Sequence, residues 1–136
     1  MAETLKLEIV TPDGKAYSED VEMVTLTGVQ GEMGILPQHI RLMTRMVPGE
    51  LVVRKGGHDT FVAVGGGLVE VTPTRVNILT DMAVAADKID EARAEEARLR
   101  AEARLREKLS AEEVATTNAS LARSLAQLKV KRRHRG

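Results

Sequence analysis

All four prolines and every glycine except the terminal Gly136 lie before residue 86. Beyond that point Ala, Glu, Arg and Leu dominate. Glycine and proline punctuate turns, whereas a long stretch without either, rich in strong helix formers, reads as helix. The chain therefore divides into a turn-rich part, residues 1–86, and a helical part, residues 87–136.

The first part alternates short apolar runs with turn signals. Leu5, Leu7 and Ile9 alternate with Lys6, Glu8 and Val10, and Thr11-Pro12-Asp13-Gly14 follows as a turn. Further strand signals cover 21–27, 42–47, 51–54, 60–64, 68–71 and 76–80. Turns are expected at Pro48-Gly49, at Gly56-Gly57-His58-Asp59, at Gly65-Gly66-Gly67 and at Pro73. So many short strands at such spacing predict a sandwich or flattened barrel. The triple glycine lacks the Lys and Ser/Thr of a phosphate loop and precedes a strand, so it reads as a turn or bulge.

The second part predicts two helices. The first is expected from about Lys88 to about Leu109 with Asp87 as its N-cap, supported by Glu96/Arg100 and Glu102/Arg106 pairs. The second begins at Ser110-Ala111-Glu112-Glu113, which has the spacing of a capping box. It continues through Leu121, Leu125 and Leu128 on one face. So short a break folds the pair into an antiparallel hairpin. Large apolar residues are sparse on both helices (Ile89, Leu99, Leu105 and Leu109, then Val114, Leu121, Leu125 and Leu128). The hairpin is thus expected to be weakly held and movable.

Composition excludes several functions. There is no cysteine, which removes disulfides and thiolate metal sites. His39, His58 and His134 have no partner at metal-ligand spacing, and no metal site is expected. Twenty basic residues balance twenty acidic ones, so no global field draws the chain to nucleic acid. Tyr17 and Phe61 are the only aromatics, too few for a base-stacking platform. The basic charge is concentrated at the end, Lys129 to Arg135. No apolar run approaches the ~20 residues of a membrane helix, and Met1-Ala2-Glu3-Thr4 lacks a signal-peptide layout. No catalytic constellation stands out. An enzyme with a hidden site and a nucleic-acid adaptor using the basic tail remain the competing classes.

The most informative stretch is Gly31-Glu32-Met33-Gly34-Ile35-Leu36-Pro37-Gln38-His39, followed by Leu42 and Thr44. Read from its residues alone, it is either a long connection between sheets or a rigid docking loop with an apolar tip. This run resembles the signature of the epsilon subunit of bacterial-type F-type ATP synthases. The resemblance extends to Gly66-Gly67-Leu68-Val69-Glu70-Val71, to Ile89-Asp90-Glu91-Ala92-Arg93-Ala94, and to Leu121-Ala122-Arg123 with Gln127-Leu128. Arg41 stands where that family usually has proline.

The resemblance implies an α+β fold, an N-terminal β-sandwich of two stacked five-stranded sheets followed by a C-terminal α-helical hairpin. It also implies a non-catalytic place in the central rotor stalk, peripheral on the cytoplasmic face of the inner membrane. The expected partners are the gamma subunit, the c-subunit ring and, transiently, the alpha/beta catalytic head. Glu32, Gly34, Ile35, Leu36, Pro37 and His39 would face the c ring and the foot of gamma. The hairpin would be a regulatory arm that inhibits hydrolysis by extending into the head, its basic tail pairing with acidic segments there. No cofactor is required. Asp90, Arg93, Ala94 and Arg123 match residues that bind regulatory ATP in some family members. Gln127 and Val84 replace an arginine and an acid found in strong binders, so weak ATP binding is the expectation.

Overall fold

The computed structural model describes residues 3–134. Ten strands come first: β1 (Leu5–Thr11), β2 (Gly14–Val21), β3 (Met23–Gly28), β4 (Gly31–Ile35) and β5 (Leu42–Met46), then β6 (Gly49–Lys55), β7 (His58–Val64), β8 (Gly67–Val71), β9 (Arg75–Thr80) and β10 (Ala83–Ala85). A 3-10 turn (Ala86–Lys88) leads into two helices, α1 (Glu91–Arg104) and α2 (Ala111–Arg133).

The strand order β10-β7-β6-β3-β5-β8-β9-β1-β2, with β4 on the free side of β3, turns a corner at β3. The start of β3 pairs with β6 (Met23 opposite Arg54) and its end with β5 (Gly28 opposite Met46). The strands β4, β3, β6, β7 and β10 form one layer, and β5, β8, β9, β1 and β2 form the other. Side chains at every second position fill the space between them: Leu5, Leu7 and Ile9 from β1, Val24 and Leu26 from β3, Leu51 and Val53 from β6, Val69 and Val71 from β8, Val76 and Ile78 from β9. This is the period-2 burial that a half-buried strand requires. The expected sandwich-and-hairpin fold is thus the observed one.

Three strands were not legible in the sequence. β2 is an edge strand, mostly exposed along Gly14–Asp20, so it lacks apolar alternation. β10 is only three residues long. The third, β4, falls inside the glycine-rich stretch read as a loop. It pairs with β3 from Val24–Ile35 to Gly28–Gly31, and Ile35 is fully buried in the core. Ile35 is therefore a packing residue of the sandwich and cannot present its side chain to a partner while the fold is intact.

The helices also begin and end differently from expectation. Asp87 lies in the 3-10 turn, and the chain stays extended at Ile89, whose side chain is buried against Ala63 and Val130. That anchor delays the helix, and Asp90 becomes the N-cap, its Oδ1 accepting from the Arg93 amide at 3.1 Å. α1 stops at Arg104, and Ser110 forms the expected capping box with Glu113. The Glu96/Arg100 and Glu102/Arg106 pairs do not form among the described residues; Arg98 bridges Glu95 and Glu102 instead.

Burial of Ile35 yields a prediction. Ile35→Ala should lower the unfolding free energy of the sandwich by about 2–5 kcal/mol, as a core truncation does. Glu32→Ala, on the exposed side of the same strand, should change it by less than about 0.5 kcal/mol. Urea unfolding followed by circular dichroism separates the two, and equal effects would contradict this placement.

Candidate docking edge and interdomain cleft

Among the described residues β4 pairs only with β3, which leaves its other side open. The expected docking residues are distributed along this edge and are not gathered at one tip. Glu32 is exposed near the β3–β4 turn, where Val29 is 57% exposed. Leu36, Pro37 and His39 follow the other end of the strand, roughly 13 Å away at ~3.3 Å per residue. The segment beyond β4 is held by Gln38, whose backbone takes a left-handed φ of 69° and whose amide donates to the Pro73 carbonyl at 2.7 Å. His39 Nδ1 lies 2.7 Å from the Ile40 carbonyl. Gly34 leaves space for the end of the Met23 side chain, since a Cβ there would stand 2.6 Å from Met23 Cε. Leu36, Ile40 and Met43 are large, apolar and exposed near this end, Ile40 at 78%. Val29 in the β3–β4 turn, Ile40 in the connection to β5 and Met43 on β5 were missed in the sequence, because which apolar side chains stay exposed shows only once the chain is folded.

The second site lies where the hairpin meets the sandwich. A cleft of about 440 Å³ is lined by all four expected nucleotide contacts, Asp90, Arg93, Ala94 and Arg123. Lys88 and Arg100 join them, as do Val84 and Gln127. Four cations thus face two carboxylates, Asp90 and Asp81. Lys88, Arg93 and Arg100 make no ion pair among the described residues, whereas Arg123 Nη1 donates to Asp81 Oδ2 at 3.0 Å. Asp90 is engaged as the α1 cap. Gln127 turns away from an anion-binding role, its amide meeting Met82 Sδ at 2.9 Å. Lys88, Arg100 and Asp81 lie outside the motif that pointed to the cleft, so only their spatial convergence reveals them.

The hairpin packs on the outer face of β6 and β7. Ala63, Ile89 and Val130 form a small buried cluster there, with Phe61, Met82, Val84 and Ala86 around it. Most residues buried on the helices are small, Ala94 and Ala101 on α1 and Thr117, Ser124 and Ala126 on α2, with Leu128 and Val130 the larger exceptions. The expected leucine stripe is only partly used, since Leu128 is buried but Leu125 is 47% exposed. Both buried hydroxyls bond within their own helix, Thr117 to the Glu113 carbonyl and Ser124 to the Ser120 carbonyl. The end of α2 is tied down by charge. Arg132 reaches Glu91 and Glu95, Arg133 and His134 both reach Glu50, and His134 stacks on Phe61 with ring centroids 3.5 Å apart. Arg132, Arg133 and His134 of the basic tail thus meet the chain's own carboxylates, Lys131 donates to the Ala86 carbonyl at 3.2 Å and Lys129 is exposed; Arg135 lies outside the described residues.

Among the described residues no helix is long and apolar enough to cross a membrane, and no group of three His, Asp or Glu is placed to hold a metal ion.

A strand sandwich carrying a folded-back helical hairpin on one layer is the architecture of chains found in ATP synthase assemblies. A chain of the Euglena gracilis mitochondrial ATP synthase (OSCP/F1/c-ring) superposes with a TM-score of 0.74 at 25% identity, over 93% of this chain and 79% of that one. A chain of the Tetrahymena thermophila mitochondrial ATP synthase (central stalk/c-ring) shares the fold, with a TM-score of 0.63 at 14% identity over 95% and 97%. Residues 4–86 match the family model of the ATP synthase delta/epsilon chain β-sandwich domain, and residues 87–132 match that of its long α-helix domain. The chain belongs to the ATP synthase delta/epsilon family. Its relatives include the ATP synthase epsilon chains of Herpetosiphon aurantiacus, 46% identical over 93% of both chains, and of Dehalococcoides mccartyi, 45% identical over 96% of this chain and 94% of that one.

Two predictions follow from the way the hairpin is held. Glu50→Gln removes the charge that Arg133 and His134 share. Because Arg133 is 62% exposed, the loss of hairpin docking should be only about 0.5–1.5 kcal/mol. Trypsin cleavage within α2 should then accelerate by roughly two- to tenfold, and an unchanged rate would show that the contact holds nothing. Acid should act in the same direction. The Ser110 capping contacts hold Glu113, and Arg98 holds Glu95, below their ordinary pKa of 4.5. Folded values below unfolded ones mean that this support is complete above 4.5 and is lost as pH falls through the lowered values. Amide protection in α1 and α2 should decline on acidification below 4.5 and should be unaffected, through these groups, by raising the pH from neutral.

Proposed function

We propose that this chain is a central-stalk subunit of an F-type ATP synthase, non-catalytic itself, that helps couple proton-driven rotation of the c ring to ATP synthesis. The observation that carries this reading is the open β4 edge. Glu32 and Val29 stand exposed at one end, with Leu36 and Ile40 exposed and His39 half-buried beyond the other, a mixture of exposed apolar and polar groups such as interfaces use. In this reading the edge docks the c ring and the foot of the gamma subunit, and the chain sits peripherally on the cytoplasmic face of the inner membrane. Relatives named as ATP synthase epsilon chains, and neighbours in assemblies that contain a c ring, support it.

The hairpin is the regulatory arm. Its docking rests on a few apolar contacts and on ion pairs whose arginines are open to water, so a competing set of carboxylates on the alpha/beta head could draw off Arg132 and Arg133 and hold the arm extended, opposing hydrolysis. Nucleotide favours the docked arm: the cleft gathers Lys88, Arg93, Arg100 and Arg123, the charges that a triphosphate needs. ATP is a regulator here and not a cofactor. With Gln127 held by Met82, its affinity is expected to be weak.

The test is a titration of the full chain against isolated gamma subunit, with Val29→Asp, Glu32→Gln and Ile40→Asp variants. One-to-one binding weakened about tenfold or more by the aspartate substitutions is expected. No binding at micromolar concentration would refute the stalk reading.

A further inference from the structure

Within the cleft one carboxylate has no role in the fold's core or in a helix cap, and it already occupies a cation. Asp81 follows β9, and its side chain is fixed from two sides. A Cβ on Gly65 would stand 1.7 Å from Asp81 Oδ1, so the glycine makes room for the carboxylate where it sits. The Gly65 amide donates to the Met82 carbonyl at 3.0 Å, which locks this turn against the end of β7. From the opposite side Arg123 of α2 donates to Asp81 Oδ2 at 3.0 Å. The pair therefore ties sandwich to hairpin across the cleft, with both side chains still partly open to it, 35% for Arg123 and 41% for Asp81.

We propose that Asp81 is a built-in anion that holds Arg123 while the cleft is empty, and that a nucleoside triphosphate must displace it to bind. The inference rests on the reading of the cleft as a nucleotide site. Carboxylate and phosphate oxygens are equivalent acceptors for a guanidinium. The N–H group that Asp81 occupies is unavailable to a phosphate, and a carboxylate left beside the phosphates repels them. Nucleotide binding is then an exchange of anions on Arg123, and the affinity reflects only the difference between the two. The same exchange replaces one sandwich-to-hairpin tie by another, so the empty cleft already favours the docked hairpin. Asp81 thus weakens nucleotide binding and makes docking less dependent on nucleotide.

The experiment is calorimetric titration of the purified full chain with ATP, comparing the natural sequence with Asp81→Asn. Asp87→Asn is the charge-matched control, an exposed residue of the 3-10 turn. Asp81→Asn should bind ATP about tenfold tighter or more, Asp87→Asn should stay within about twofold, and adding Arg123→Gln to Asp81→Asn should abolish the gain. If the natural chain binds ATP and Asp81→Asn binds it equally or more weakly, the inference falls while the nucleotide reading stands. If Asp87→Asn gains as much as Asp81→Asn, the effect is one of net charge and the inference also falls. No binding by any of these proteins overturns both.

Discussion

The junction between the two helices and the sandwich is built from small residues and polar ties, and much of the molecule's behaviour depends on that. Apolar burial contributes in proportion to area, and Ala94, Ala101, Thr117 and Ser124 have little area to give. Their hydroxyls are satisfied within α2, so parting the helices strands no buried donor. What remains are Ile89, Val130 and Leu128, together with ion pairs whose arginines are half or more open to water although Glu50 and His134 are largely covered. The exposed arginine ends of such pairs contribute little individually and can be exchanged for equivalent partners. A hairpin held this way can leave the sandwich without unfolding it.

The sandwich is held by the opposite means. Its core is close-packed aliphatic side chains from both layers, and the backbone approaches itself closely where glycines permit. A Cβ at Gly67 would stand 1.9 Å from the Leu79 carbonyl oxygen, so β8 and β9 lie together in a way that a larger residue would prevent. This gives the chain a rigid frame bearing an open edge on one side and a docking face for the hairpin on another. Ala63 links the two roles: its neighbours Val62 and Val64 point into the core, while it packs under Ile89 and Val130.

How much of this was visible in the sequence follows from what each element buries. β1, β3, β6, β8 and β9 alternate cleanly because one face of each is core, and they were readable. β2 and β4 were not, since an exposed edge strand imposes no pattern, and the glycines of β4 suggest a loop until Ile35 is seen to fill the core. The capping box at Ser110 was legible because its chemistry is local. Asp90 as the cap of α1 was not, because the buried side chain of Ile89 sets the helix start from a distance. In the cleft, the motif residues Asp90, Arg93, Ala94 and Arg123 do come together. Lys88, Arg100 and Asp81 belong to no local pattern, and Glu50 contacts Arg133 and His134 from more than eighty residues away.

The central claim, that the hairpin is a separately releasable element on an independently stable sandwich, is tested most directly by native-state hydrogen exchange of the intact chain. Amides of α1 and α2 should exchange together through a partial opening, at a free energy well below that of β1, β8 and β9. Helix and core amides that exchange only through one common global unfolding would contradict it.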